Sequence, residues 1–123
     1  MKRNEIFRCS RCGLVVEIRN PGAVPVCCGQ PMEPLSAKTV DAGSEKHLPV
    51  IEALDNGTRV KVGAAPHPMT PEHHIQWIEI INGDYANTKY LDPNGKPEAE
   101  FYVKARPGMR VRSYCNIHGL WEA

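Results

Sequence analysis

The chain has 123 residues, 41% of them hydrophobic, which suits one ordinary domain or a small one with an appendage and leaves no room for a third unit. Fifteen Lys and Arg against fourteen Asp and Glu give a formal charge of +1, so composition makes no case for nucleic acid or a membrane surface, whose binders carry a basic excess. Apolar runs are a few residues long and Met1-Lys2-Arg3-Asn4-Glu5 leads straight to a cysteine motif, so neither a spanning helix nor a secretory leader is expected and a cytoplasmic protein is.

The first element is a pair of cysteine knuckles, Cys9-Ser10-Arg11-Cys12-Gly13 and Cys27-Cys28-Gly29, each closed by a glycine that lets the backbone turn. Between them Leu14-Val15-Val16-Glu17-Ile18 is β-branched and stops at Asn20-Pro21-Gly22, so it reads as a strand and turn. Five cysteines, an odd number with an adjacent pair, make a poor disulfide framework, and thiolate ligands are favoured over bridges. Four soft thiolates suit tetrahedral iron or zinc. A thioredoxin-like use of Cys9 and Cys12 would need a helix after the motif, where a strand is expected. A unit of about 35 residues buries too little to stand without its metal.

From Ala37 onward, β-branched or alternating runs are separated by turn chemistry. Runs over 48–54 and 58–62 flank Asp55-Asn56-Gly57, a hairpin signal because Asn-Gly tolerates positive φ. Further runs over 75–81, 85–91, 100–105 and 109–114 are bounded by Asn82-Gly83, Asp92-Pro93-Asn94-Gly95 and Arg106-Pro107-Gly108. Seven or so short strands without helical periodicity predict an all-β protein whose larger part is an antiparallel sandwich of the immunoglobulin class. The division is expected between 1–36 and 37–123, within a soft stretch from Pro34 to Asp41.

Histidines punctuate this second part. His47 follows Glu45-Lys46, His67 stands between Pro66 and Pro68, His73 follows Glu72, and Cys115 and His118 share Cys115-Asn116-Ile117-His118. Taken singly, each histidine reads as a surface or packed side chain. Taken together with Cys115, they read as a mononuclear site of four nitrogens and one sulfur, which suits iron redox chemistry better than a structural zinc that closes at four ligands. His74 faces the other way along an extended segment and is left out. Glu45 and Lys46, judged alone, are solvated loop charges.

In order, spacing and flanking residues, Cys9-Ser10-Arg11-Cys12 with Cys27-Cys28-Gly29, Glu45-Lys46-His47-Leu48-Pro49-Val50-Ile51, His67-Pro68-Met69, Glu72-His73-His74-Ile75-Gln76-Trp77-Ile78-Glu79 and Cys115-Asn116-Ile117-His118-Gly119-Leu120-Trp121 resemble the desulfoferrodoxin family, over nearly the whole chain. The resemblance implies a desulforedoxin-like domain over 1–36 with iron on Cys9, Cys12, Cys27 and Cys28, zinc being the alternative there. It implies an immunoglobulin-like domain over 37–123 with a second iron on equatorial His47, His67, His73 and His118 and axial Cys115. The implied activity is superoxide reduction to hydrogen peroxide, with Lys46 guiding the anion and ordering a proton-donating water, and Glu45 closing the oxidised iron after product leaves. A rubredoxin-like electron donor and a homodimer are implied too, with the four-cysteine centre as an accessory. His74 stands where the family commonly has tyrosine, which bears on tuning around His73. Two other functions stay open on the residues alone: a non-catalytic iron-binding electron-transfer protein, and a superoxide dismutase, which must also oxidise its substrate.

Overall fold

Runs of β-branched residues become short strands throughout the computed structural model, which describes residues 1–40 and 46–123. Every helix or strand among the described residues is a strand, so the chain is all-β, and by contacts it falls into two units, Met1–Ser36 and Ala37–Ala123. No helix among the described residues is long and apolar enough to cross a membrane.

In the first unit β1 (Ile6–Arg8) is the centre of an antiparallel sheet, with β2 (Val15–Glu17) on one side and β5 (Glu33–Pro34) on the other. A separate hairpin joins β3 (Val26–Cys27) to β4 (Gln30–Pro31). Cys27 pairs with Gln30 across a two-residue turn in which Cys28 and Gly29 both have positive φ, 53° and 76°. That is the turn whose twist matches a hairpin, and it costs a non-glycine residue such as Cys28 about 1–2 kcal/mol. The core beneath is small: Phe7, Cys9 and Met32 are buried, with Val16, Ile18 and Cys27 packed on them.

The second unit is an antiparallel sandwich. One sheet has the order β10 (Glu98–Phe101), β7 (Gly57–Val62), β6 (Pro49–Leu54), and the other the order β12 (Gly119–Glu122), β11 (Arg110–Cys115), β8 (Ile75–Asn82), β9 (Tyr85–Tyr90). Three strands against four is the count of the simpler immunoglobulin-like sandwiches. Val60 and Val62 of β7 and Ala99 and Phe101 of β10 meet Ile75, Ile78 and Ile80 of β8 and Val111 and Cys115 of β11 in the core. Each fully buried isoleucine there contributes about 1.5–3 kcal/mol. The opposite face of β8 is buried as well. Trp77 stacks on Tyr114, its cross-strand partner, at 5.6 Å. Glu79 accepts from Arg112 and from Thr88 Oγ1 (2.7 Å), so the buried charge pair has its hydrogen bonds supplied.

Three local expectations change. The β6–β7 hairpin forms, with Leu54 paired to Gly57 around Asp55 and Asn56, but none of these turn residues has a positive φ. Gly57 is required for another reason: a Cβ there would lie 2.0 Å from Phe101 O on the neighbouring strand. The strand expected over 100–105 is Glu98–Phe101 instead, because Ala99 and Phe101 point into the core while Glu98 and Glu100 reach Arg59 of β7 at 3.6 and 2.6 Å. Finally, β12 was not among the expected runs; Gly119, at φ 82°, ends a three-residue loop and opens a short returning strand paired to β11.

Candidate functional site

Three segments of the second unit converge on one point. His47 lies two residues before β6, His67 and His73 lie in the loop between β7 and β8, and Cys115 and His118 bracket the β11–β12 turn. One donor atom from each of the five lies within 4.8 Å of all the others. The imidazoles form a closed square: centroid separations run 4.9 Å from His47 to His67, 4.7 Å to His73, 5.0 Å to His118 and 4.7 Å back to His47. Neighbouring rings meet edge to face, at 65–84°. His47 Nε2 is 3.0 Å from His118 Nδ1, which is itself 3.8 Å from Cys115 Sγ. His118 therefore turns Nδ1 toward the other donors.

The surroundings fix these rings one by one. His67 sits between two prolines, and its Nδ1 is 2.7 Å from Pro68 O. A carbonyl can only accept, so Nδ1 carries the hydrogen and Nε2 keeps its lone pair for the site. His73 is held in a tight loop by main-chain bonds with Thr70 in both directions. Ser113 Oγ donates to His47 O at 3.1 Å, and the His118 amide donates to Cys115 Sγ at 3.4 Å. Trp121 stacks flat on His47 (4.5 Å, 12°) and its indole N–H donates to His118 O at 3.2 Å. Lys38 Nζ donates to the same carbonyl at 2.8 Å and lies 5.1 Å from the Trp121 ring.

The donor set fits a metal ion on its own chemistry. His67 Nε2 and His73 Nε2 are buried with no hydrogen-bond partner, an arrangement that costs about 1–3 kcal/mol per group unless something binds there. Burial pushes His67 down to about 4 and also lowers His73, whose next cause is His118, so both stay neutral at physiological pH, as ligation requires. Four imidazole nitrogens and a buried sulfur are a soft-to-intermediate set suited to a first-row transition metal.

In the first unit, Cys9, Cys12, Cys27 and Cys28 form a second group, again with sulfurs within 4.8 Å of one another. The Cys28-Gly29 turn lets two adjacent cysteines face one point. Cys12 Sγ is 3.5 Å from Cys27 Sγ, and Gln30 Nε2 donates to Ser10 Oγ at 2.8 Å, tying the knuckles together. The Cys12 amide and its neighbours hold Cys9 down to about 6, whereas the closeness of Cys12 sulfur drives Cys27 up to about 12. Four sulfurs this close ionise together only around a cation.

Lys46 is exposed beside His47, and its charge is among those that lower His73. Glu45 lies outside the described residues. His74 stays outside the five-donor group, its Nδ1 buried without a partner. Lys38, Ser113, Asn116 and Trp121 are the site's neighbours to which motif spacing assigns no role. Asn116 and Trp121 lie within the motif that carries Cys115 and His118, whereas Lys38 and Ser113 leave no sequence trace.

Residues 39–123 match the family model described as Desulfoferrodoxin, and residues 1–35 match the one described as Desulfoferrodoxin, N-terminal domain. The desulfoferrodoxin homolog of Methanothermobacter thermautotrophicus is 58% identical over 119 residues, 96% of each chain. The superoxide reductase of Pyrococcus abyssi is 44% identical over 103 residues, covering 69% of this chain and 90% of that protein. Among solved structures, the superoxide reductase from Treponema pallidum matches with a TM-score of 0.75 and 28% identity over 97% of this chain and 96% of that one.

Proposed function

The chain belongs to the desulfoferrodoxin family, and from that premise we infer that it is a superoxide reductase, joining superoxide, one electron and two protons into hydrogen peroxide as a defence against oxygen stress. The observation that carries the reading is the closed square of four imidazoles with a buried thiol beside it, five donors within 4.8 Å. His47, His67, His73, His118 and Cys115 would hold an iron ion, which would supply the electron.

The chain's own residues do the rest. Cys115 is fully buried, and the His118 amide donates to its sulfur at 3.4 Å, which holds the sulfur toward the imidazoles. Lys46, exposed next to His47, draws the small anion in and holds the water from which a proton passes to the reduced oxygen. Glu45 would supply a carboxylate to the oxidised metal. Residues 37–123 form the catalytic domain and residues 1–36 the four-cysteine domain. There Cys9, Cys12, Cys27 and Cys28 hold a second iron, zinc being the alternative; four thiolates leave no place for substrate, so this centre serves electron transfer or structure. A rubredoxin-like protein is the external electron donor, the molecule is a homodimer, and five free cysteines suit the reducing cytoplasm.

Metal analysis with electron paramagnetic resonance of freshly purified protein tests the two-centre reading. It is supported by two irons per chain with dissimilar signals; a chain holding zinc at the five-donor group, or no metal there, overturns it.

A further inference from the structure

The ladder between β8 and β11 runs in step from Arg110 opposite Ile81 to Tyr114 opposite Trp77, then slips so that Cys115 stands opposite Ile75. Beyond the slip the Asn116 amide still donates to His74 O at 3.2 Å. The return bond goes to a side chain: the His74 amide donates to Asn116 Oδ1 at 2.9 Å. The other half of the same carboxamide, Nδ2, donates to Glu72 O at 2.9 Å. One side chain therefore holds the main chain on both sides of His73, from a residue that follows Cys115 directly.

This substitution has a geometric consequence. A ladder continued by the main chain alone would keep residues 116–118 extended along β8 and carry His118 away from the site. With the acceptor role passed to a side chain, the His74 amide stays satisfied while the backbone turns through to Gly119, at φ 82°. His118 Nδ1 thereby returns to 3.8 Å from Cys115 Sγ. Only a side chain with one acceptor and one donor at this reach does both jobs, which asparagine has and aspartate or serine lacks.

We propose that Asn116 is a positioning residue of the five-donor centre, whose carboxamide locks the His73 loop to the Cys115–His118 turn and sets His73 against the other donors. The inference rests on the reading of that group as a metal centre.

Cobalt(II) titration of the metal-free full-length protein against a competing chelator tests it, with the single-thiolate and four-thiolate absorptions read separately. Asn116→Ala should weaken cobalt binding at the five-donor group by about 10- to 100-fold, the usual effect of losing a partner that orients a ligand, and leave the four-cysteine group unchanged. Asn116→Ser, which keeps an oxygen near the His74 amide but cannot reach Glu72 O, should fall between wild type and alanine. In a His73→Gln background Asn116→Ala should cost little more, because the residue it positions is gone. Unchanged affinity in Asn116→Ala, or an equal loss with and without His73, overturns the proposal. If the alanine variant fails to fold, the serine variant is read by the same criteria. A wild-type protein that takes no cobalt at the five-donor group overturns the metal-centre reading itself, a result distinct from failure of the asparagine lock.

Discussion

Trp121→Phe and Trp121→Ala separate two things the indole does beside the square of imidazoles. Its ring lies 4.5 Å from His47 at 12°, and its N–H donates to His118 O at 3.2 Å. Phenylalanine keeps a ring for the stack and gives up the N–H. The carbonyl is not orphaned by that loss, since Lys38 Nζ donates to it at 2.8 Å. The hydrogen-bond part of the cost therefore belongs at the low end of the usual net value of about 0.5–1.5 kcal/mol. Alanine also removes the aromatic contact, itself about 0.5–1.5 kcal/mol beyond burial, and empties the space of a large side chain. With Trp121 only 6% exposed, there is little solvent to refill that space. Its cost should reach the range of about 3–5 kcal/mol for buried Trp→Ala changes. Urea denaturation of the metal-free protein measures both. Losses of similar size in the two variants, or a loss under about 1 kcal/mol for alanine, would refute the reasoning, because the stack and the filled space would then contribute almost nothing.

Lys46→Ala should slow the second-order reaction with superoxide by about tenfold and flatten its dependence on ionic strength, measured by pulse radiolysis of the reduced protein; an unchanged rate and slope would make Lys46 an ordinary loop charge. Cys28→Ser should damage the four-cysteine centre and leave superoxide reduction largely intact, and a variant that keeps its five-donor metal yet loses the fast reaction would contradict the division of labour. The metal-free protein should be acid-sensitive in a defined direction. His67 is held below its ordinary value of 6.5, down to about 4, so its contribution to stability is fully present above 6.5 and is lost as pH falls through about 4. Denaturation midpoints across that window check this, and a profile that rises on acidification contradicts it.

The fold was legible where side chains alternate, as in β7, where apolar β-branched residues run together, as in β8, and where turn residues are unambiguous, as at Asn82-Gly83, where Gly83 has φ 59°. It was less legible where the cause lies on another strand. Gly57 looks like a turn glycine, but its role is set by Phe101 O, a contact separated by a long stretch of sequence. The edge of β10 depends on Arg59 finding Glu98 and Glu100 across the sheet, which charge patterning along one segment does not reveal. In the same way, motif spacing names the five donors that the fold gathers within 4.8 Å but does not assign the groups that orient them. Lys38 reaches His118 O through a bridge beside Trp121, and nothing local to Lys38 signals it. Asn116 sits inside the Cys115–His118 motif, but its partners Glu72 and His74 become visible only once β8 and β11 are paired.

The central claim is that the five-donor centre reduces superoxide and does not dismutate it. The most direct measurement is the yield of hydrogen peroxide per superoxide consumed by the reduced protein with an electron donor present, with dioxygen followed in parallel. Reduction gives one peroxide for each superoxide and no dioxygen, as the electron balance requires. One peroxide for every two superoxides, with dioxygen evolved catalytically in the absence of added reductant, would contradict the account.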